Sequence, residues 1–95
     1  MKTVLITGGN KGLGYETARQ LIDKGYQVII GSRNLERGRQ AAQELGADIV
    51  ELDVTSDDSV TQAAKDIQSQ YGHIDILINN AGISGTFDKP EALTA

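Results

Sequence analysis

The chain has no cysteine and a single histidine, His73. Disulfides, thiolate zinc sites and cysteine nucleophiles are therefore excluded, and a histidine-built metal site is not expected, so the chain reads as metal-free. It also lacks any apolar run approaching the roughly 20 residues that span a bilayer. The N-terminal run Val4-Leu5-Ile6 is too short for a signal-peptide core and leads into glycines rather than a cleavage site. The expectation is a cytoplasmic protein with no membrane partner. Positive charge is not in excess either: nine Lys and Arg face thirteen Asp and Glu, a net charge of −4. That balance repels phosphate backbones at long range and argues against nucleic acid as a partner. Any anion site must then be local, built from glycine amides, a helix N-terminus and one or two placed basic residues. Proline is nearly missing: Pro90 is the only one, and no linker or low-complexity stretch divides the 95 residues. One modest core follows.

What is present repeats one pattern: a short aliphatic run, a polar or glycine-rich turn, an amphipathic stretch, then a glycine. The aliphatic runs are Val4-Leu5-Ile6, Val28-Ile29-Ile30, Ile49-Val50 with Leu52, and Ile74 with Ile76-Leu77-Ile78. Most are continuous rather than alternating, as strands covered by helices on both faces should be. Between them Leu13, Thr17, Ala18, Leu21 and Ile22 fall at helical spacing, as do Leu35, Gly38, Ala42 and Leu45, and then Val60, Ala63, Ala64, Ile67 and Tyr71. Each predicted helix runs into a glycine (Gly25, Gly46, Gly72), and Thr55-Ser56-Asp57-Asp58 offers a capping hydroxyl and first-turn carboxylates to the third. Strands alternating with helices predict an α/β fold, a doubly wound parallel sheet of strand order 3-2-1-4. Ligands should gather where that order reverses, at the carboxyl ends of the first and fourth strands.

The first strand runs into Thr7-Gly8-Gly9-Asn10-Lys11-Gly12-Leu13-Gly14. A pyrophosphate needs bare backbone, free N–H groups and the positive end of a helix dipole, all of which such a turn can supply. The spacing is not G-x-G-x-x-G, because Thr17 stands where the third glycine would be. It is not the Walker A pattern either, because Tyr15-Glu16 replace its lysine and hydroxyl residue. It is T-G-x-x-x-G-x-G. This turn, Leu52-Asp53-Val54-Thr55 after the third strand, and Asn79-Asn80-Ala81-Gly82 after the fourth together resemble the cofactor-binding half of the short-chain dehydrogenase/reductase family. An aspartate such as Asp53 also suits a receiver domain's phosphoacceptor, but a receiver needs acids at the end of its first strand, where Thr7-Gly8-Gly9 stand.

The resemblance implies a Rossmann-type sheet in which residues 1–82 form the dinucleotide-binding βα units and residues 83–95 a loop and the start of a further helix. It implies that Asp53 contacts adenine, that an asparagine of N-N-A-G braces the central sheet, and that Ala81-Gly82 lie along the adenosine ribose. At the end of the second strand, Gly31-Ser32-Arg33-Asn34 lacks the carboxylate with which an NAD site holds the ribose 2′-OH. Ser32 can donate to a 2′-phosphate, Arg33 can pair with it, and Lys11 can approach from the other side. NADP(H) is the expected cofactor, with NAD(H) as the weaker alternative. The candidate cofactor-binding residues are Gly8, Asn10, Lys11, Gly12, Leu13, Gly14, Ser32, Arg33, Asn34, Asp53, Val54, Asn80, Ala81 and Gly82. The family's Tyr-x-x-x-Lys pair has no counterpart: Tyr15 is followed four residues on by Arg19, Tyr26 by Ile30 and Tyr71 by Asp75. No catalytic residue is assigned. The three tyrosines and His73 are read as packing or surface groups. The expectation is the N-terminal part of a truncated enzyme, inactive alone, whose intact form acts on a small alcohol or carbonyl; a homo-oligomer is left open. The rival reading is a non-catalytic dinucleotide-binding module or sensor complete at this length.

Overall fold

A computed structural model describes residues 1–8 and 12–80. Asn10, Lys11, Ala81, Gly82 and the tail 83–95 therefore lie outside the described residues. The elements are β1 (Thr3–Thr7), α1 (Gly12–Asp23), β2 (Gln27–Ser32), α2 (Leu35–Leu45), β3 (Asp48–Glu51), α3 (Asp57–Tyr71) and β4 (Ile76–Asn79). They form a four-stranded sheet of order β3-β2-β1-β4, with every pairing parallel. This is the doubly wound, Rossmann-type arrangement expected from the alternation of strand and helix patterns.

The two central strands are buried along nearly their whole length because both faces are covered. Val4, Ile6, Val28 and Ile30 meet Ala18 of α1 and Ala41 and Ala42 of α2 on one face. Leu5, Ile29, Val50 and Leu52 meet Ala63 and Ile67 of α3 on the other. Each fully buried isoleucine among them (Ile6, Ile29, Ile30) contributes on the order of 1.5–3 kcal/mol. Alanines on the inner faces of the helices let the helix backbones come close to the sheet.

The helix ends follow their chemistry. Asn34 caps α2 by accepting from the Arg37 N–H at 3.0 Å, and Ser56 caps α3 by accepting from Ser59 N–H at 3.2 Å. Gly46 closes α2 at φ 77°, in the left-handed region that glycine enters without a β-carbon penalty. Three helical positions depart from the periodicity: Ala64, in the middle of α3, is exposed, and so are two nearer the helix starts. Leu13 is 76% exposed and Val60 43%, because each sits in or near the first turn of its helix, where the pattern runs on past the part that packs on the sheet. Leu77 shares the α3 face with its register partner Leu5, yet is 44% exposed: α3 lies chiefly over β3 and does not reach across that side of β4.

Candidate functional site

The carboxyl ends of all four strands converge on one end of the sheet, and the candidate residues that the structure describes stand there. β1 ends at Thr7, whose hydroxyl donates to Asn79 Oδ1 at the end of β4, 2.9 Å away. Gly8 follows at φ 70°, its N–H donating to Gly31 O of β2 at 2.8 Å. Asn80 donates from Nδ2 to Gly8 O at 3.2 Å. The glycine turn thus leaves β1 clamped on both sides, by the last residues of β2 and β4. Asn79 and Asn80 divide the bracing role between them, one holding a side chain and the other the turn's backbone.

Gly12 opens α1 at φ 62°, with no heavy atom within 4 Å of where a β-carbon would be, and Gly14 is buried in the same turn. The first turn of α1 carries no acidic residue, so no carboxylate within it offsets the positive end of the helix dipole. A positive helix end and room at Gly12 where any other residue would project a side chain suit a pyrophosphate. Leu13, exposed between the two glycines, flanks that opening.

At the neighbouring end of β2, Arg33 is exposed, whereas Ser32 is only 2% exposed. The Ser32 hydroxyl donates inward to Asn34 O at 2.8 Å. Asn34 in turn uses its side chain to cap α2. Ser32 and Asn34 are therefore occupied in fixing the loop, and Arg33 is the member that projects from it. Asp53, past the end of β3, accepts from both the hydroxyl and the N–H of Thr55 at Oδ1. Those two bonds, the hydroxyl first, hold its carboxyl below the usual carboxylate range, with Arg33 adding a smaller pull through space. Val54, 42% exposed, lies beside it.

Two positioning contacts were not legible. Ser59 Oγ accepts from the Asp53 N–H at 2.9 Å, tying the post-β3 turn to α3; a serine six residues away in a polar stretch carries no spacing signature. The Thr7–Asn79 pair joins residues 72 apart, and only the strand order, once known, brings them together. The tyrosines take structural roles. Tyr15 donates to Glu44 of α2 at 2.9 Å, and this bond to a carboxylate is the main cause of its raised pKa. Tyr71 donates to Asp48, and its hydroxyl is pushed up first by burial and then by that carboxylate. Both are thereby made poorer acids, and neither is suited to proton exchange near neutrality.

A family model described as short chain dehydrogenase matches residues 2–94. Among curated relatives, the (-)-isopiperitenone reductase of Mentha piperita is 47% identical over 90 residues, covering 85% of this chain and 29% of the relative. Among solved structures, the menthone neomenthol reductase from Mentha piperita superposes with a TM-score of 0.83 at 36% identity, over 86% of this chain and 32% of that one. The 3-ketoacyl-(acyl-carrier-protein) reductase from Brucella melitensis, complexed with NADH, gives 0.81 at 34% identity, over 95% and 38%. The chain spans about a third of the length of the proteins it matches.

Proposed function

We propose, for this chain, which belongs to the short-chain dehydrogenase/reductase family, that the carboxyl end of its sheet binds the adenosine and pyrophosphate portions of NADP(H). Bound nicotinamide supplies a hydride to, or takes one from, the carbon of an alcohol or carbonyl group. The residues of this chain do something different: they orient the dinucleotide. The N–H groups at the start of α1 take the pyrophosphate, with Gly12 and Gly14 keeping β-carbons out of its way, while Asp53 and Val54 border the adenine. Asn10, Lys11, Ala81 and Gly82 complete the same set. The related reductases support a carbonyl or alcohol substrate for the whole protein, and a cytoplasmic location belongs to the same reading.

The observation that carries the choice of NADP(H) is the end of β2. Arg33 projects there from a loop held by Ser32 and Asn34, and no carboxylate occupies Gly31 to Asn34. An acid at that point would repel a 2′-phosphate, whereas a guanidinium pairs with it. The solved relative complexed with NADH supports a nicotinamide dinucleotide in general; exposed Arg33 is what supports NADP(H) over NAD(H). In the protein carrying this chain, NADPH is expected to bind more tightly than NADH. Arg33→Ala is expected to remove most of that preference, about 1.5–3 kcal/mol for a charge-assisted contact. Equal affinities for the two cofactors in titrations of the unaltered protein at moderate salt would refute the assignment.

A further inference from the structure

The loop that carries Arg33 is seated on a residue with no side chain. Gly38 lies in the second turn of α2 and is buried. Helix propensity alone favours alanine over glycine at such a position, so a specific packing demand is the natural explanation. The structure shows one. A β-carbon on Gly38 would come within 2.6 Å of Ser32 Cβ, 3.1 Å of Ser32 Oγ and 2.4 Å of Ile49 Cδ1. Ile49 Cδ1 is the end of a flexible side chain and can turn away. Ser32 Cβ cannot, because Ser32 is the last residue of β2 and its carbonyl is held by Leu52 N–H at 2.9 Å.

Ser32 and Gly38 also share one acceptor. Asn34 O receives the Ser32 hydroxyl at 2.8 Å and the Gly38 N–H at 2.9 Å, while Asn34 Oδ1 receives Arg37 N–H. The path from β2 into α2 is therefore folded around Asn34, with Gly38 in direct contact beneath it. Arg33 sits at the apex, fixed from both sides.

We infer that Gly38 is a positioning residue for recognition of the 2′-phosphate: its missing β-carbon sets how close α2 comes to β2, and so where the Arg33 loop stands. This rests on the NADP(H) reading above. A β-carbon at position 38 displaces the start of α2 from Ser32, lengthens the bonds that converge on Asn34, and moves Arg33 away from the phosphate without touching the pyrophosphate turn.

The test uses two probes that differ only in the 2′-phosphate, adenosine 2′,5′-bisphosphate and adenosine 5′-monophosphate, titrated calorimetrically against the protein carrying this chain. Gly38→Ala is expected to weaken the bisphosphate about tenfold, the loss of one charge-assisted contact, and the monophosphate by less than about twofold. Gln40→Ala, an exposed change on the same helix, should alter neither. Amide exchange gives a readout independent of any ligand: the Arg37 N–H, which donates to Asn34, should exchange faster in Gly38→Ala. Equal weakening of both probes would show that Gly38 serves stability alone and would overturn the inference. Failure of the unaltered protein to distinguish the probes would overturn the NADP(H) reading instead. Gly38 is then judged by exchange, and an unchanged Arg37 amide in Gly38→Ala overturns its positioning role.

Discussion

The two ends of this sheet are built from the same four strands and closed by opposite means. At the amino end, carboxylates do the closing. Asp75 accepts Thr3 N–H at 2.8 Å while its own N–H donates to Thr3 O, and its other oxygen meets His73. Asp48 receives Tyr71 and, at 3.4 Å, Gln27. At the carboxyl end, neutral groups hold the strands: a threonine hydroxyl, two asparagine amides and a glycine N–H bonded to a glycine carbonyl. The carboxylate that stands near this end, Asp53, is bonded within its own turn, to Thr55, rather than between strands; carboxylates joining the strands there would repel a dinucleotide's phosphates. Neutral bonds join the strands at that end without adding negative charge to it. The charge of the groups that join the strands therefore distinguishes the proposed binding end from the opposite one.

The contrast can be broken at several depths. The largest effect is expected where both ends depend on one residue. Ile30, fully buried in β2, should cost about 2–5 kcal/mol when replaced by alanine, and denaturant unfolding should show stability and cofactor binding falling together. A smaller and one-sided effect is expected at Gly12, whose φ of 62° is unfavourable for any residue with a β-carbon. Gly12→Ala should cost about 1–2 kcal/mol of strain, and NADPH titration should show weakened binding with little change in far-ultraviolet dichroism. An unaltered dissociation constant would contradict the placement of the pyrophosphate at this turn.

Asp75→Asn should have the smallest effect, confined to the amino end. The Thr3 N–H bond, ahead of the charge on His73, holds the Asp75 carboxyl below its ordinary value. Its stabilising contribution is thus present above the unfolded-state pKa of about 4 and disappears as pH falls through the lower folded value. Melting temperatures of the unaltered protein and Asp75→Asn should differ slightly at neutral pH and converge under acid, with NADPH affinity the same in both.

Much of the fold and of the candidate site was legible in the residue order, and the limits are physical. Continuous aliphatic runs identified β1 and β2, because two-sided burial leaves little choice of residue, and their alternation with helical patterns pointed to the parallel order β3-β2-β1-β4. The glycine turn and the two asparagines were legible because they stand at fixed offsets directly after the first and fourth aliphatic runs. The inward turn of Ser32 was not, since a serine at a strand end reads the same whether it faces ligand or helix. Gly38 appeared only as an inner-face position; the 2.6 Å approach that requires it depends on how α2 crosses β2, which no local pattern encodes. Leu13 and Val60 fit the helical period but lie where the sheet no longer supports it. Ile74 fits the aliphatic run of β4 but falls before the strand, because Asp75 turns the chain to meet Thr3.

Amide chemical-shift mapping during an NADPH titration tests the division of the two ends most directly. The shifts are expected to concentrate at Gly8, Gly12 to Gly14, Arg33 and Asp53, with Thr3, Gln27, Asp48 and Asp75 unmoved. Shifts centred on the amino-end group, or spread evenly over both ends, would contradict the assignment of the carboxyl end as the binding site.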